Sequence, residues 1–152
     1  MQTVVDVAAF ILDEYGPMTT MKLQKLAYYS QAHCLATHGK CLFQEDFQAW
    51  VNGPVAPALY REHRGKFLIH PGELADAVKS HSPLSEHVKQ EVHTICSRLA
   101  ILTGNQLSTM THREDPWRLA RQGCGPSDHC ETVISKESMR SFYSVHPTWM
   151  SA

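Results

Sequence analysis

His112, Glu114, Asp115 and Arg121 stand close together, and a histidine oriented by a carboxylate is an ordinary arrangement for general-base chemistry. The reaction it would serve is a hydrolysis. The rest of such a centre is missing from the sequence around it: no nucleophile is indicated, and no glycine-rich loop offers oxyanion donors. Asp115 stands directly before Pro116, which reads as a helix cap followed by the first helical position. Trp117 and Arg121 are four apart and share a helix face. Arg121 stacked on Trp117 and paired to Glu114 or Asp115 would make a stabilising surface cluster. We therefore read His112, Glu114, Asp115, Trp117 and Arg121 as a structural or interface cluster, with a small hydrolase using His112 and Glu114 as the alternative.

Cys124, Asp128, His129 and Cys130 form a compact group of potential metal ligands. Zinc sites favour a CxxC or HxxxH spacing with a second pair elsewhere. Cys124 and Cys130 are too far apart for that knuckle, and Cys130 directly follows His129, so no metal and no cofactor is expected. Cys34 and Cys96 fall on apolar helical stripes and read as core residues. Five cysteines at irregular spacing, with no leader, point to free thiols in a reducing cytoplasm. The first fifteen residues carry Asp6, Asp13 and Glu14 and no basic run, which speaks against a signal peptide or a membrane span.

The 152 residues fit one domain, residues 1–152, with a substantial core. Net charge is −1, and Lys and Arg are interleaved with acids and form no patch, so DNA binding is disfavoured. Ten histidines make surface charge sensitive to pH between roughly 5 and 7.

These residues must be positioned mostly by helices. Val4, Val5, Ala8, Ile11, Leu12 and Tyr15 recur at helical spacing, and Gly16-Pro17 stops that first helix. Thr19 or Thr20 caps a second, largely buried helix that runs to about His38, with Gly39 past its end. Its stripe is Leu23, Leu26, Ala27, Ser30, Cys34 and Leu35. Tyr28 and Tyr29 point to different sectors, so at least one flanks the core. Lys22 and Lys25 flank the stripe, as a solvated edge or as partners for acids on another protein. Phe47, Ala49 and Val51 alternate in an extended stretch that Gly53-Pro54 breaks. Pro57 opens a short helix to about His63. Pro71-Gly72 is a turn, and Glu73 to Lys79 allows a helical turn or two.

Ser82 with Pro83 starts a clear amphipathic helix through Leu84, Val88, Val92, Ile95, Leu99 and Leu102, which Gly104 closes. Asn105 caps a short helix to Thr111. Asp115 caps the next, which Gly123 ends. Ser135 caps the last, with Ile134 and Met139 as a hydrophobic staple. The fold class is all-α, a compact multi-helix domain with one small extended element near residues 47–51. Trp50, beside Asn52-Gly53-Pro54, has two readings: a ring that plugs the core above the only turn that fits, or a recognition ring at an interface.

Three phrases now stand in order: Met21, Leu23, Gln24, Lys25, Leu26 and Tyr28; then Phe47, Ala49, Trp50, Gly53, Pro54, Val55 and Tyr60; then Leu107, Ser108, Thr111, His112, Pro116, Trp117, Ala120 and Arg121. With Ile134, Met139 and Tyr143 closing, the chain from about Val4 to Tyr143 resembles the Panacea domain family of SocA-like antitoxins and phage-associated GepA-type proteins. The resemblance implies a cytoplasmic protein that neutralises a cognate protein toxin by direct contact, in some members as an adaptor to a AAA+ protease such as ClpXP. It implies no catalytic residues. Many members carry an added DNA-binding or partner-specific extension. This chain ends soon after its closing helix, which with the near-neutral charge argues against autoregulation on DNA. The partner surface we expect comprises Lys22, Trp50, Asn52, Gly53, Pro54 and Tyr60. A homo-oligomeric mobile-element protein, joined through the stripe of the first helix, is a further alternative.

Overall fold

A computed structural model describes residues 1–78 and 83–151. The first helix, α1 (Val4–Tyr15), opens on a capping box in which the Thr3 side chain accepts from the Asp6 amide and Asp6 answers the Thr3 amide. Met18–Thr19 forms a short strand, β1, and Thr19 caps α2 (Thr20–His38). Gly39 ends α2 at φ +67°, a left-handed closing turn that glycine adopts without a Cβ penalty. Strands β2 (Phe47–Trp50) and β3 (Gly53–Val55) make a hairpin, and Pro57 opens α3 (Pro57–His63). Leu68–Ile69 is β4, and Ala75–Ala77 is a 3-10 turn. Then come α4 (Glu86–Leu99), α5 (Gly104–His112), α6 (Asp115–Ala120), strand β5 (Val133–Ile134) and α7 (Lys136–Val145).

The protein is mainly helical, with more strand than the sequence announces. β2 lies between β3 and β5 in an antiparallel sheet, and β1 pairs antiparallel with β4 in a second one. Strands of two residues carry no readable alternation, so β1, β4 and β5 escape a periodicity argument. α2 runs through the middle, packed by α1, α4, α5 and α7. It is buried without a break from Leu23 to Ala32, so Tyr28 and Tyr29 are both in the core. The stripe of α1 joins the same hydrophobic cluster, so it is no free surface for self-association. Gln31 on α2 stands in for a strand neighbour: it accepts from the Leu42 amide at 2.6 Å and donates to the Phe43 carbonyl at 2.8 Å.

Several helix ends differ from expectation. Ser82 lies outside the described residues, and Ser85 caps α4. α4 stops at Leu99, five residues before Gly104, which instead begins α5 against Thr19 and the Lys22 amide. Thr103, not Asn105, caps α5, because its hydroxyl and Gln106 complete a second capping box. Glu114 takes the cap position of α6 and Asp115 the first turn, with no side-chain cap bond. α6 ends at Ala120, ahead of Gly123. At α7 the expectation holds: Ser135 is the cap, and Ile134 and Met139 are both buried. A final 3-10 turn, Thr148–Ser151, carries Trp149 onto the rings of Tyr29 and Tyr143.

Candidate functional site: a clamped hairpin and its cleft

The β2–β3 hairpin turns on Val51 and Asn52, with Trp50 paired to Gly53. Its carbonyls meet donors from distant parts of the chain. Arg121 Nη1 donates to Ala49 at 2.8 Å, Trp117 Nε1 to Trp50 at 2.8 Å, and Ser108 Oγ to Asn52 at 2.6 Å. Lys25 Nζ donates to Pro54 at 3.0 Å. Gln24 closes the series at Ala56, donating to its carbonyl at 3.3 Å and accepting from its amide at 2.8 Å. The three separated phrases of the sequence are therefore one construction. Gly53 sits where they meet, at φ +113°. A Cβ there would stand 2.7 Å from both Lys25 Cε and Thr111 Oγ1.

Lys25 corrects the sequence reading. It is 1% exposed, because α2 is covered on every side, and so it is neither a solvated edge nor a partner for outside acids. Burial pushes its amino group down to about 7. The unfolded chain holds that proton up to about 10.5, so between these values the unfolded state binds more protons and stability rises with pH. The penalty is complete below about 7, where Lys25 is charged inside the fold. We expect the wild-type protein to gain up to about 1 kcal/mol per pH unit between pH 7 and 9 relative to Lys25→Met. Urea unfolding of both proteins at the two pH values measures this. A pH-independent difference refutes it. The buried thiols of Cys34 and Cys96, pushed up to about 11 and 12, titrate in both proteins and cancel.

Beside the hairpin lies a cavity of about 220 Å³. Trp50 forms one wall and is half-buried. Its ring lies 4.9 Å from Tyr60 and 5.2 Å from His129, both edge-on, and its Nε1 donates to Gln48 Oε1 at 2.8 Å. His63 and Gln24 form the floor, 3.0 Å apart, and burial lowers the affinity of His63 for a proton. His129 is set by Arg121, whose Nη2 donates to the carbonyls of Gly125 and Asp128 at 2.8 and 2.7 Å. A disulfide between Cys124 and Cys130 closes that loop, where the sequence reading had free thiols. Neither sulfur is then a thiolate ligand for a metal. Cys34, Cys41 and Cys96 are free.

Of the expected partner surface, Trp50, Asn52 and Tyr60 line this cleft. Gly53 and Pro54 are buried and shape it from beneath. Lys22 stays outside: its ammonium donates to the Ala100 carbonyl just past the end of α4. His129, Gln24 and His63 were missed. Gln24 and His63 are polar residues on helices, and nothing local marks them as lining a cavity.

The His112 cluster comes apart. His112 stacks on Trp117, ring centroids 4.2 Å apart, and its Nε2 is buried with no hydrogen-bond partner. Burial, with the positive neighbours Lys25 and Arg121, lowers its proton affinity. Arg121 does lie over Trp117, at 5.3 Å, but its hydrogen bonds go to backbone carbonyls, and Asp115 pairs with Arg118 at 2.9 Å. Glu114 turns inward and accepts from Tyr29 and Tyr143 at 2.6 and 2.7 Å; Tyr143 in turn meets Tyr28 at 3.1 Å. Burial raises its pKa, against the pull of these hydroxyls. A carboxylate committed to two tyrosines does not orient His112, and the general-base arrangement is not formed. Glu114→Ala leaves both hydroxyls without this acceptor and is expected to cost about 2 kcal/mol in urea unfolding. A cost below about 0.5 kcal/mol would show the network to be incidental.

The family profile described as "Antitoxin SocA-like, Panacea domain" matches residues 23–118, which run from within α2 through the hairpin into α6. The chain belongs to this family. Antitoxin SocA of Caulobacter vibrioides (strain NA1000 / CB15N) is 29% identical over 132 residues, covering 78% of this chain and 70% of that protein. No solved structure matches the chain. The matched span of this Panacea domain contains all the donors that clamp the hairpin except Arg121. No helix among the described residues is long and apolar enough to cross a membrane.

Proposed function

We propose that this Panacea domain is an antitoxin that neutralises a cognate protein toxin by direct binding through the Trp50 cleft, with no chemistry of its own. The observation that carries the reading is the rigid presentation of Trp50. The half-buried indole walls a cavity, flanked by Tyr60 and His129, on a hairpin whose carbonyls are held by side chains from α2, α5 and the α6 region. A preorganised aromatic wall with a polar rim loses little entropy on binding and suits a side chain of a partner. Family membership supplies the class of partner, a protein toxin. The neutralised toxin is either occluded or handed to a ClpXP-type protease, and its half-life in cells with and without that protease separates the two routes.

The test is co-expression of the chain with the product of the adjacent gene, alongside that gene alone. The expected result is a toxic neighbour that is rescued and co-purified by this chain. A harmless neighbour that does not co-purify overturns the reading.

A further inference from the structure

Away from the cleft, at the other end of α2, His38 stands in the last helical turn. His87 and Glu91 stand one turn apart on α4, where residues at this spacing share a face. Glu91 is 8% exposed, yet its carboxylate meets two imidazoles. Oε2 lies 3.0 Å from His33 Nδ1 and Oε1 lies 2.5 Å from His38 Nε2. The His87 ring lies beside that of His38, centroids 5.7 Å apart. One ligand atom from each of His38, His87 and Glu91 falls within 4.8 Å of the others.

We propose that His38, His87 and Glu91 form a zinc site, two imidazoles and one carboxylate with the fourth position left to water. Ligands at zinc lie about 2.0–2.2 Å from the ion in tetrahedral array, so their atoms stand roughly 3.4 Å apart. His38 and His87 are exposed and can rotate the short distance required, while Glu91 is the fixed point. Mixed imidazole and carboxylate ligation suits Zn²⁺ and does not suit Mg²⁺ or Ca²⁺, which take oxygen. His33 holds the second carboxylate oxygen and so orients the ligand, a role in which a partner typically affects metal affinity 10- to 100-fold. The ion would tie the end of α2 to α4. The site is separate from the cleft: Lys25 and His38 are about 20 Å apart along the helix.

The bland alternative is a metal-free tie, with Glu91 accepting from His33 and His38. Equilibrium dialysis of the untagged, chelator-stripped full chain against zinc chloride distinguishes them. We expect one zinc per chain, a Tm raised by saturating zinc but not by magnesium, and a strong visible absorption band when cobalt(II) replaces zinc. His87→Ala should weaken zinc binding at least ten-fold and abolish the cobalt band, with the metal-free Tm unchanged. Should that Tm fall, His38→Gln provides the same comparison. Cys41→Ser should bind as the wild type does. Absence of stoichiometric zinc overturns the proposal. So does zinc binding that survives both histidine substitutions, which would be adventitious uptake by a chain with ten histidines.

Discussion

Gly53→Ala is expected to lower the unfolding free energy by about 3 kcal/mol, the largest stability loss among the single substitutions considered. Two costs add. At φ +113° an L-residue is strained whatever the space around it. The new methyl would also stand 2.7 Å from Lys25 Cε and from Thr111 Oγ1, and neither can retreat easily. Lys25 is anchored on the Pro54 carbonyl, and Thr111 is fully buried with its hydroxyl on the Ser108 carbonyl. Urea unfolding monitored by circular dichroism measures the loss. A value under about 1 kcal/mol would mean that the hairpin relaxes freely and that its clamps are weak.

Trp50→Ala is expected to weaken toxin binding by about 2 kcal/mol or more, roughly thirty-fold, while the protein stays folded. The substitution removes the ring that walls the cavity. It keeps the backbone carbonyl that accepts from Trp117, so the hairpin remains held. The indole is half-buried, and its contacts to Tyr60, His129 and Gln48 are local, so its own contribution to folding is modest. Affinity for the co-purified neighbour and thermal stability should be measured together. A collapse in Tm would make Trp50 a core residue and remove it from the surface. Unchanged affinity with an intact fold would place the toxin elsewhere on the domain.

Much of the helical course was legible. Thr19, Ser135 and Gly39 sit at helix ends where their side-chain or backbone chemistry puts them, and the stripes of α1 and α4 mark the faces that became core. The failures have physical causes. Asp115 before Pro116 looked like a cap, but Glu114 occupies that position while its carboxylate is drawn inward by two tyrosines from α2 and α7. Gly104 looked like a stop and is instead a close-approach point, where Thr19 Oγ1 would lie 2.9 Å from a Cβ. Cys124 and Cys130 looked independent because pairing depends on how the loop between them folds, which Arg121 sets from outside it.

By itself the sequence determined the mainly helical class, the order of the principal helices and the family, and its three marked phrases contain Gln24, Lys25, Trp50, Gly53, Ser108, Trp117 and Arg121 without saying what they do. Only the tertiary structure decided what each does. Periodicity reports which face of a helix is apolar, because that depends on neighbours one turn away. It does not report which distant carbonyl a buried donor will meet. Lys25 and Pro54 are 29 residues apart, and Trp117 and Trp50 are 67 apart. Those pairings exist only after α2, the hairpin and the α5–α6 segment have packed together, and they turn three sequence phrases into one cleft.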